Sequence, residues 1–413
     1  MRLLAHVATI FLAGLIVAGC TDANPVSSPI GSQSAALIPI QPRPNPFPPG
    51  TDFAEITAGD NHTCARKNNN TVFCWGLDNN GQSGSWTTRA CSGVACVDRP
   101  TILNVQTPEG GRGTLTSTKI DAGANHTCII DTLNDAYCWG DGNNGQVGFA
   151  PGSYGPIFEA TKVAGGIKVS VISAGGESTC AAGSNGIYCW GIIANRAATP
   201  SIVSGYGYSL GLAVGSLHAC VMDGARTIDC WGSNGYGQLS LDRATVTSSP
   251  FIALSNFGPS SRVASQSYFT CADQLNGTIQ CAGENTYGQL ANGQFGSYTS
   301  TGTPQTVGGS AQLHGVTTGN QHACALDAGG AAYCWGNGYN GQVGSGSSNY
   351  FTSPQPVGGG HTFRALAAGG QHTCGIGTDN HIYCWGQNRY GQLGTQYPGG
   401  WVSSPVQALD PVT

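Results

Sequence analysis

The stretch AGGQHTCGIGTDNHIYCWGQNRYGQLG, Ala368 to Gly394, decides the fold because altered copies of it recur along the chain. Its cysteines, Cys374 and Cys384, lie ten positions apart. Six earlier pairs have the same spacing or one residue less: Cys64 and Cys74, Cys128 and Cys138, Cys180 and Cys189, Cys220 and Cys230, Cys271 and Cys281, Cys324 and Cys334. The first cysteines of successive pairs are 40 to 64 residues apart. Self-similarity at such a period is typical of propellers and solenoids.

Each copy predicts a β-hairpin. HTCGI and HIYCW are rich in residues that favour strands, and the short turn between them contains glycine, asparagine and aspartate. If Cys374 faces Cys384, residues 375 and 383 form the next rung and residues 376 and 382 the one after it. The sequence therefore predicts seven hairpins with one shared register.

The third copy tests this register. Cys180 and Cys189 are nine apart, but the turn there shortens to Ser184 and Asn185, so the two cysteines still oppose each other. Directly opposed Cα atoms in an antiparallel pair can be about 4.5 Å apart, within reach of a disulfide. Structural zinc sites instead space their thiolates two to four residues apart, so disulfides are favoured over metal sites or reduced thiols.

The remaining cysteines fit the same interpretation. Of 17 cysteines, Cys20 stands apart near the N-terminus, and Cys91 and Cys96 lie together in one insert. Two thiolates make an incomplete metal site, so we expect Cys91 and Cys96 to form a small disulfide loop. This density of cysteine pairs predicts an oxidising compartment outside the cytosol.

The N-terminal region predicts export and lipid anchoring. Arg2 precedes an apolar run from Leu3 to Val17, which is short for a membrane span, and Val17-Ala18-Gly19-Cys20 resembles a bacterial lipobox. An ordinary secretory signal is the alternative. We expect residues 1–20 to be a lipoprotein signal peptide with lipid attached at Cys20, 21–50 to be a Pro/Ser-rich tether, and 51–413 to be the folded domain.

Composition narrows the class of partner. Only 9% of residues are charged, 64 are glycine, and the formal net charge is −5. Low charge with many turns suits an all-β repeat domain. The absence of a lysine or arginine cluster argues against nucleic acid and against electrostatic binding to anionic lipid.

The spacing of a second element predicts a closed ring. Most hairpins are followed by a loop resembling GxNxxGQ, and each is followed by a proline-led strand, beginning at Pro100, Pro156, Pro200, Pro250, Pro304, Pro354 and Pro405. No such strand precedes the first hairpin and no hairpin follows the last strand. We therefore expect a seven-bladed β-propeller closed by pairing of the C-terminal strand with the first blade, which leaves no free sheet edge. Ile56 and Val406 should then be neighbours.

AGxxHTC, YCWG and GQLG resemble the repeat of the regulator of chromosome condensation family, over about residues 51 to 413. The resemblance implies a seven-bladed propeller that binds protein partners through one face. The paired cysteines depart from the nuclear members of the family. Two copies also depart from the rest: the third has Ser178 in place of histidine and lacks the GQ loop, and the fifth has Phe269 and Ala282 in place of histidine and tryptophan.

The repeated histidines and tryptophans are interpreted as structural. Histidines on five blades surround an axis and cannot converge on one ion at about 2 Å, so we expect half-buried imidazoles bonded to backbone. Each CWG tryptophan should pack between blades and donate its N–H to a carbonyl. The glycines of the GQ loops should supply positive φ angles. The histidines are His62, His126, His218, His322 and His372, and the tryptophans are Trp75, Trp139, Trp190, Trp231, Trp335 and Trp385.

Binding residues are sought in the non-repetitive inserts, because loops on a rigid scaffold usually carry binding and because tyrosine and tryptophan dominate hot spots. The longest insert runs from Gly84 to Thr118. Aromatic residues attached to the propeller rim without a function are the alternative. The candidates are Trp86, Arg89, Phe295, Tyr298, Tyr350, Phe351, Tyr397 and Trp401.

These observations predict a monomeric, non-catalytic binding or scaffold propeller without metal or cofactor, exported and facing the periplasm or exterior. The family resemblance offers one alternative, an inhibitor of a secreted enzyme such as a β-lactamase. A protein that binds or hydrolyses envelope polysaccharide is another, and hydrolysis would need two carboxyl groups about 5 to 10 Å apart in one cleft. No catalytic motif stands out in the sequence, and export removes the chain from the cytosolic GTPases on which nuclear family members act.

Overall fold

The computed structural model describes residues 52–85, 89–106, 112–149, 155–204, 209–241, 247–253 and 256–411, without the side chains of 89, 104–106, 112, 204 and 247–253. The expected signal peptide, lipid-bearing Cys20 and tether lie outside the described residues. The described residues form one compact unit.

The described strands form seven sheets, which are the blades of a propeller, and one two-stranded ribbon. Blade 1 contains β1 (Phe53–Ala58), β2 (His62–Lys67), β3 (Val72–Leu77), β4 (Arg89–Cys91) and β5 (Val94–Ile102), and the ribbon contains β6 (Asn104–Gln106) and β7 (Arg112–Thr114). Blade 2 contains β8 (Lys119–Ala122), β9 (His126–Ile130), β10 (Ala136–Asp141) and β11 (Pro156–Lys162). Blade 3 contains β12 (Val171–Gly175), β13 (Ser178–Gly183), β14 (Gly186–Gly191) and β15 (Ala197–Ser204). Blade 4 contains β16 (Gly211–Val214), β17 (His218–Met222), β18 (Ile228–Gly232) and β19 (Thr247–Ala253).

Blade 5 contains β20 (Ser260–Ser265), β21 (Phe269–Gln274), β22 (Ile279–Gly283) and β23 (Thr301–Thr306). Blade 6 contains β24 (Leu313–Thr318), β25 (His322–Asp327), β26 (Ala332–Asn337) and β27 (Tyr350–Pro356). Blade 7 contains β28 (Phe363–Ala368), β29 (His372–Gly377), β30 (Ile382–Gln387) and β31 (Trp401–Gln407). Short 3₁₀ turns lie at Ala164–Gly166, Ile192–Ala194, Ser297–Thr299 and Gly358–Gly360. The expectation of an all-β, seven-bladed propeller is confirmed.

The hairpin register agrees with the spacing of the cysteines. Cys374 opposes Cys384, with the 375/383 and 376/382 rungs beside it. Cys180 opposes Cys189 across the shorter turn of blade 3. All seven opposed pairs are disulfides, with Cα atoms 4.0 to 4.1 Å apart, and Cys91 is bonded to Cys96. Each of the seven repeated bridges joins the second and third strands of its own blade, whereas the bridge from Cys91 to Cys96 joins β4 and β5.

The expectation about ring closure is wrong in its strand pairing. β31 pairs with β30, where Cys384 opposes Val406, so the C-terminal strand completes blade 7 and not blade 1. No proline-led strand precedes the first hairpin because that strand is the fourth of its blade and the repeat begins at the first strand. β1 supplies that strand for blade 1, so the first sheet lacks nothing that the C-terminus must provide.

Closure is instead achieved by packing between whole blades. The first strands of neighbouring blades contact one another all round, and β28 contacts β1. One hydrophobic cluster joins blades 7 and 1; Ile56 belongs to it, and the partly buried Val406 packs against it. Both residues therefore lie at the junction of blades 7 and 1, but no direct contact between Ile56 and Val406 follows from this, so their expected proximity stays a prediction.

Proline is tolerated because it lies in the outermost strand of the blade. Pro405 lies inside β31, beyond a register shift between Cys384 and Gly386. Because proline lacks an N–H group, it is confined to edge strands, bulges and strand starts. The repeated prolines thus mark the outermost strand in blades 2 to 7, and in blade 1 Pro100 lies in β5, beyond the residues that pair with β4.

Candidate functional site

The meander of each blade sends two kinds of loop to one end of the propeller. We call this end the loop face: it carries the turn between the first and second strands (369–371 in blade 7) and the loop between the third and fourth strands (388–400 in blade 7). The opposite end, the turn face, carries the hairpin turns, such as residues 378–381. The predicted inserts of blades 5, 6 and 7 belong to the loop face. The insert from Gly84 to Thr118 is divided, because its first part lies on the loop face and its last part reaches the turn face, where Thr116 pairs with Thr71.

Four predicted binding residues are exposed on this face. Tyr298 is fully exposed (100%) and Tyr397 nearly so (79%), while Phe295 and Trp401 are also exposed. Phe295 and Tyr298 lie in the insert of blade 5, and Tyr397 and Trp401 in and after the insert of blade 7.

Tyr350 lies at the centre of an aromatic patch formed by Tyr287, Phe295, Tyr339 and Tyr350. Its ring centroid is 4.7 Å from that of Tyr339, 5.2 Å from Tyr287 and 5.9 Å from Phe295. Loss of hydration, and then the neighbouring Tyr339 and Tyr287, raise the pKa of Tyr350. The patch spans blades 5 and 6, which the sequence alone did not indicate.

The other predicted residues have different positions. Phe351 packs against the cluster between blades 6 and 7 and is partly buried, so it contributes to the core. Arg89 lies in β4, opposite Cys96, and its side chain is not described. Trp86 lies outside the described residues.

Buried asparagines hold the aromatic inserts in shape. Asn285 donates from Nδ2 to Gln294 O at 3.1 Å and to Thr299 Oγ1 at 3.0 Å, while its Oδ1 accepts from the Leu290 amide. The side chain of Asn285 thus fixes the insert that carries Phe295 and Tyr298.

Asn388 does the same in blade 7. Its Nδ2 donates to Tyr397 O at 2.9 Å and to Thr395 Oγ1 at 3.1 Å, while Leu393 N donates to its Oδ1. The next glycine of the loop, Gly391, has φ of +78°, as predicted for the GQ loops. The asparagine of the GxNxxGQ motif is therefore the residue that orders these inserts.

The insert of blade 1 approaches blade 7. Ser92, between the disulfide-bonded Cys91 and Cys96, lies with its Oγ 3.4 Å from Arg389 O. Arg389 in turn lies over the ring of Tyr390, with 5.4 Å to the centroid. The loop face is thus continuous from blade 5 through blade 7 to blade 1.

A cavity of about 280 Å³ opens on the axis at the loop face, and we call it the axial mouth. Sequence reasoning missed it because turns from six blades assemble it. It is lined by Asp60, Ala124, Gly176, Ser216, Tyr236, Ser267, Tyr268, Glu284, Asn320 and Gln321.

Both acidic residues of the axial mouth have a raised pKa. Burial raises the pKa of Asp60, against the opposing effect of Asn320, whose Nδ2 donates to Asp60 Oδ1 at 2.9 Å. Burial also raises the pKa of Glu284, whose Oε1 accepts from Thr286 Oγ1 at 3.0 Å. The Tyr236 and Tyr268 rings lie 5.4 Å apart and line the same cavity.

A longer channel of about 590 Å³ runs along the first strands. Gln266 crosses it and donates from Nε2 to Ala58 O at 3.3 Å. Asp121 accepts from Thr57 Oγ1 and from the Ala174 amide, each at 2.9 Å, and burial raises the pKa of Asp121 to about 6. Because Asp121 links blades 1, 2 and 3, its shifted pKa has a structural cause.

The repeated histidines are structural, but not in the way predicted. They are fully buried, and each Nε2 lies 2.8 to 2.9 Å from a threonine Oγ1 of the next blade, not from backbone. That threonine donates its own proton to a glutamine carbonyl at 2.9 Å, so the imidazole Nε2 must be the donor to the threonine. The pairs are His62 with Thr127, His126 with Thr179, His218 with Thr270, His322 with Thr373 and His372 with Thr63.

The prediction for the tryptophans is confirmed at five blades. Each indole N–H donates to a glutamine carbonyl, as Trp139 Nε1 does to Gln82 O at 3.0 Å, and at four of the five this carbonyl also accepts from the threonine; the exception is Gln289 O, the acceptor for Trp335. The other donors are Trp75, Trp190, Trp335 and Trp385, at 2.7 to 2.9 Å. Thr63 and Trp75 make these bonds to blade 7, so the closing junction is built like the others.

Two searches of the described residues gave negative results. No group of three or more histidine, cysteine, aspartate or glutamate side chains there could hold a metal ion. No helix in the described part of the chain has the length and apolar character needed to cross a membrane.

The fold and its repeated inter-blade bonds define an all-β propeller of seven sequence repeats. Comparison with known families identifies the repeat: the chain carries regulator of chromosome condensation (RCC1) repeats, matched at residues 53–82, 118–146, 314–342 and 363–392, and in a second form at 329–376 and 379–412. The matched stretches fall in blades 1, 2, 6 and 7.

Similar curated proteins are distant. The ultraviolet-B receptor UVR8 of Arabidopsis thaliana is 25% identical over 71% of this chain and 67% of its own length. The E3 ubiquitin-protein ligase HERC2 of Mus musculus is 25% identical over 56% of this chain, which spans 5% of that protein.

Similar solved structures share the fold. Human WBSCR16 superposes with a TM-score of 0.70 at 17% identity, over 82% of this chain and 95% of that one. Prp20p of Saccharomyces cerevisiae, described with its binding to Gsp1p and histones, gives 0.70 at 18% identity, over 87% and 88%. These likenesses support the architecture and leave the partner to be argued from this chain.

Proposed function

We propose that this protein is an exported, lipid-anchored, monomeric binding propeller without catalytic activity, which docks a partner protein on its loop face. Residues 1–20 would direct export, Cys20 would carry the lipid, and 21–50 would hold the propeller away from the membrane. Residues 51–413 would supply the binding surface.

The observation that carries this proposal is the distribution of exposed aromatic side chains. Among the described residues, seven of the eight exposed aromatics lie on the loop face, and the eighth, Phe158, lies on the outermost strand of blade 2. The seven are Phe149, Tyr236, Phe295, Tyr298, Tyr339, Tyr397 and Trp401. Exposed apolar groups gathered on one face of a soluble domain mark an interaction surface, and aromatic residues are enriched where proteins bind proteins.

The way the inserts are held also favours binding. The side chains of Asn285 and Asn388 are buried and fix the loops that present Tyr298 and Tyr397. A loop that is already ordered loses less conformational entropy on binding than a free one, and this raises affinity. Rigid display of large rings is the arrangement expected of a protein-binding surface.

The location is supported by covalent chemistry. Eight disulfides join the 16 cysteines that follow Cys20. Disulfides at this density persist in oxidising compartments. The binding of Gsp1p and histones named for Prp20p supports a protein as the class of partner, and export argues against those two partners here.

Crosslinking with matched surface variants tests the proposal. Tyr298→Ser combined with Trp401→Ser alters the loop face, and Leu133→Ser combined with Leu275→Ser removes exposed side chains from the turn face. We expect the loop-face variant to recover at least about tenfold less of a partner identified by mass spectrometry, since a few anchor side chains carry most binding energy. The turn-face variant should recover the normal amount.

The reverse pattern, or equal recovery by both variants, would contradict binding at the loop face. Loss of partner recovery counts only if the thermal unfolding midpoint is unchanged. The anchor is tested separately with Cys20→Ser, which should move the protein from the membrane fraction to the soluble fraction. Continued membrane association with no attached lipid would refute anchoring at Cys20.

A further inference from the structure

The axial mouth has an excess of negative charge. Asp60 and Glu284 both line it, and the other eight lining residues are uncharged, so no basic side chain among the described lining residues compensates the two carboxyl groups. Asp60 Oδ1 accepts from Asn320, and Glu284 Oε1 accepts from Thr286. No described residue donates to Asp60 Oδ2 or Glu284 Oε2, so each carboxyl group retains one free acceptor.

Because the two carboxyl groups are withdrawn from water, their ionised forms are destabilised unless a cation is bound. Removal from water raises the pKa of both acids, which shows that their charged forms are poorly solvated there. A buried charge is stable when it is paired and hydrogen-bonded. A cation in the axial mouth would supply both the charge and the missing donors.

The aromatic wall indicates which kind of cation fits. Tyr236 and Tyr268 form a tilted pair, with ring centroids 5.4 Å apart, and both line the same cavity as the two carboxyl groups. Ring faces attract ammonium and guanidinium groups, and guanidinium stacks on them. A bare metal ion gains less here, because the described residues bring no third acid, histidine or cysteine to form a coordination shell.

The dimensions favour a single group. The volume of about 280 Å³ is below the range of roughly 300 to 1,000 Å³ that holds drug-sized ligands. Gln266, next to Ser267 of the mouth, crosses the channel from blade 5 to blade 1, so a guest entering from the loop face meets a floor. One long side chain entering from above matches this shape.

We propose that the axial mouth binds the ammonium or guanidinium group of a lysine or arginine side chain, presented by the partner protein that docks on the loop face. This inference rests on the proposed function, because it assigns one residue type of that partner. The surrounding aromatic residues would contact the rest of the partner, while Asp60 and Glu284 would select its basic side chain.

Hydrolysis of polysaccharide is the competing interpretation, since two carboxyl groups share one cavity. Glycosidases separate the pKa values of their two acids so that one donates a proton while the other is ionised. Here the same cause, burial, raises both pKa values. The pair is therefore suited to receiving a cation, and hydrolysis becomes one outcome of the test.

Binding of small probes to the full-length protein tests this proposal without knowledge of the partner. The probes are N-acetyl-arginine amide and its neutral analogue N-acetyl-citrulline amide, with affinity measured by chemical-shift titration. We expect the arginine probe to bind at least about tenfold more tightly. Asp60→Asn or Glu284→Gln, which keep the acceptors for Asn320 and Thr286, should each remove most of that preference.

Glu159→Gln is the matched control, because it neutralises a carboxylate on the outermost strand of blade 2 and should leave the preference intact. Equal binding of the two probes, or a preference that survives both mouth variants, would overturn the proposal. Release of reducing ends from envelope polysaccharide, lost in Glu284→Gln, would replace it with hydrolysis. Tyr298→Ser with Trp401→Ser should weaken partner recovery but not probe binding, which separates failure of the proposed function from failure of this inference.

Discussion

Five of the seven junctions between blades share one hydrogen-bonded design, and the other two lack it. In the five, a buried histidine of one blade donates to a threonine of the next. Between blades 3 and 4 the equivalent residues are Ser178 and Ala219, and between blades 5 and 6 they are Phe269 and Ala323. Wherever histidine is absent, threonine is absent from the next blade too.

This matched loss shows that the pair acts as a unit. A histidine without its threonine would leave a buried Nε2–H without an acceptor, at about 1 to 3 kcal/mol. Ser178 avoids this because its Oγ accepts from the Ile193 amide at 3.0 Å. Phe269 and Ala323 avoid it by having no polar side-chain atoms.

Acid should have the largest effect on stability, because it protonates the histidines of all five hydrogen-bonded junctions. Burial lowers the pKa of four of these histidines to about 3 and that of His126 to about 4, from an ordinary value of 6.5. Between the ordinary pKa of 6.5 and the lowered pKa of the folded state, these histidines bind more protons in the unfolded chain than in the folded one. Stability therefore falls as pH falls from about 6.5 toward 3. Asp78 and Asp121, each with a pKa raised by burial to about 6, oppose this loss. Burial also raises the pKa values of Asp60, Asp273 and Glu284, which oppose the loss in the same way. Because all five histidines titrate over this range, we still expect a net loss on the order of several kcal/mol between pH 7 and pH 4, measured as the denaturant midpoint with disulfides intact.

A variant can assign this acid sensitivity to the junctions. His62→Phe with Thr127→Ala copies the junction between blades 5 and 6 and removes one of five titrating groups, so the histidine contribution to the pH dependence should decrease by about a fifth. Ile376→Val, a buried change without a titratable group, should lower the whole curve in parallel. An unchanged pH slope in the double variant would show that the loss arises elsewhere.

The next largest effect separates the single substitution from the pair. Thr127→Ala leaves the His62 Nε2–H without its acceptor and should cost about 1 to 3 kcal/mol in the free energy of unfolding. Adding His62→Phe removes the orphaned donor and should recover part of that loss. Chemical denaturation of both variants measures the difference, and a double variant less stable than Thr127→Ala alone would disprove the coupling.

The sequence predicted the blades better than the junctions. Cysteine spacing and turn length determine the hairpin register locally, so the opposition of Cys180 and Cys189 could be predicted without a fold. The partners of His62 and Cys384 could not, because each depends on which strand or blade lies beside it. The sequence does contain a signal for the histidine pairs. In a given blade, threonine directly precedes the first cysteine only if, in the preceding blade, histidine lies two positions before the first cysteine of that blade.

The candidate site was predictable only in part. Exposed aromatics such as Tyr298 and Tyr397 lie in inserts that interrupt the repeat, so they stand out in the sequence. Asp60 and Glu284 lie in different blades, more than 200 positions apart, and only ring closure brings them to one cavity. Asp60 could have been noticed as the one charged residue at its position in the seven repeats.

The smallest effect on stability is expected when the histidine and threonine pair is introduced into a junction that lacks it. The size of this effect depends on whether a glutamine carbonyl is present to accept from the new threonine. At the junction between blades 5 and 6 the Gln289 carbonyl is present and accepts from Trp335, as the Gln342 carbonyl does from Trp385 and Thr373 in the next junction. A threonine at 323 would therefore find an acceptor.

Phe269→His with Ala323→Thr should accordingly change the free energy of unfolding by less than about 1 kcal/mol, because each new polar group gains a partner. Ser178→His with Ala219→Thr should be clearly destabilising, because blade 3 lacks the GQ loop and offers the new hydroxyl no glutamine carbonyl. Thermal midpoints of the two double variants compare them directly. Equal destabilisation at both junctions would mean that the carbonyl does not decide where the histidine and threonine pair can be used.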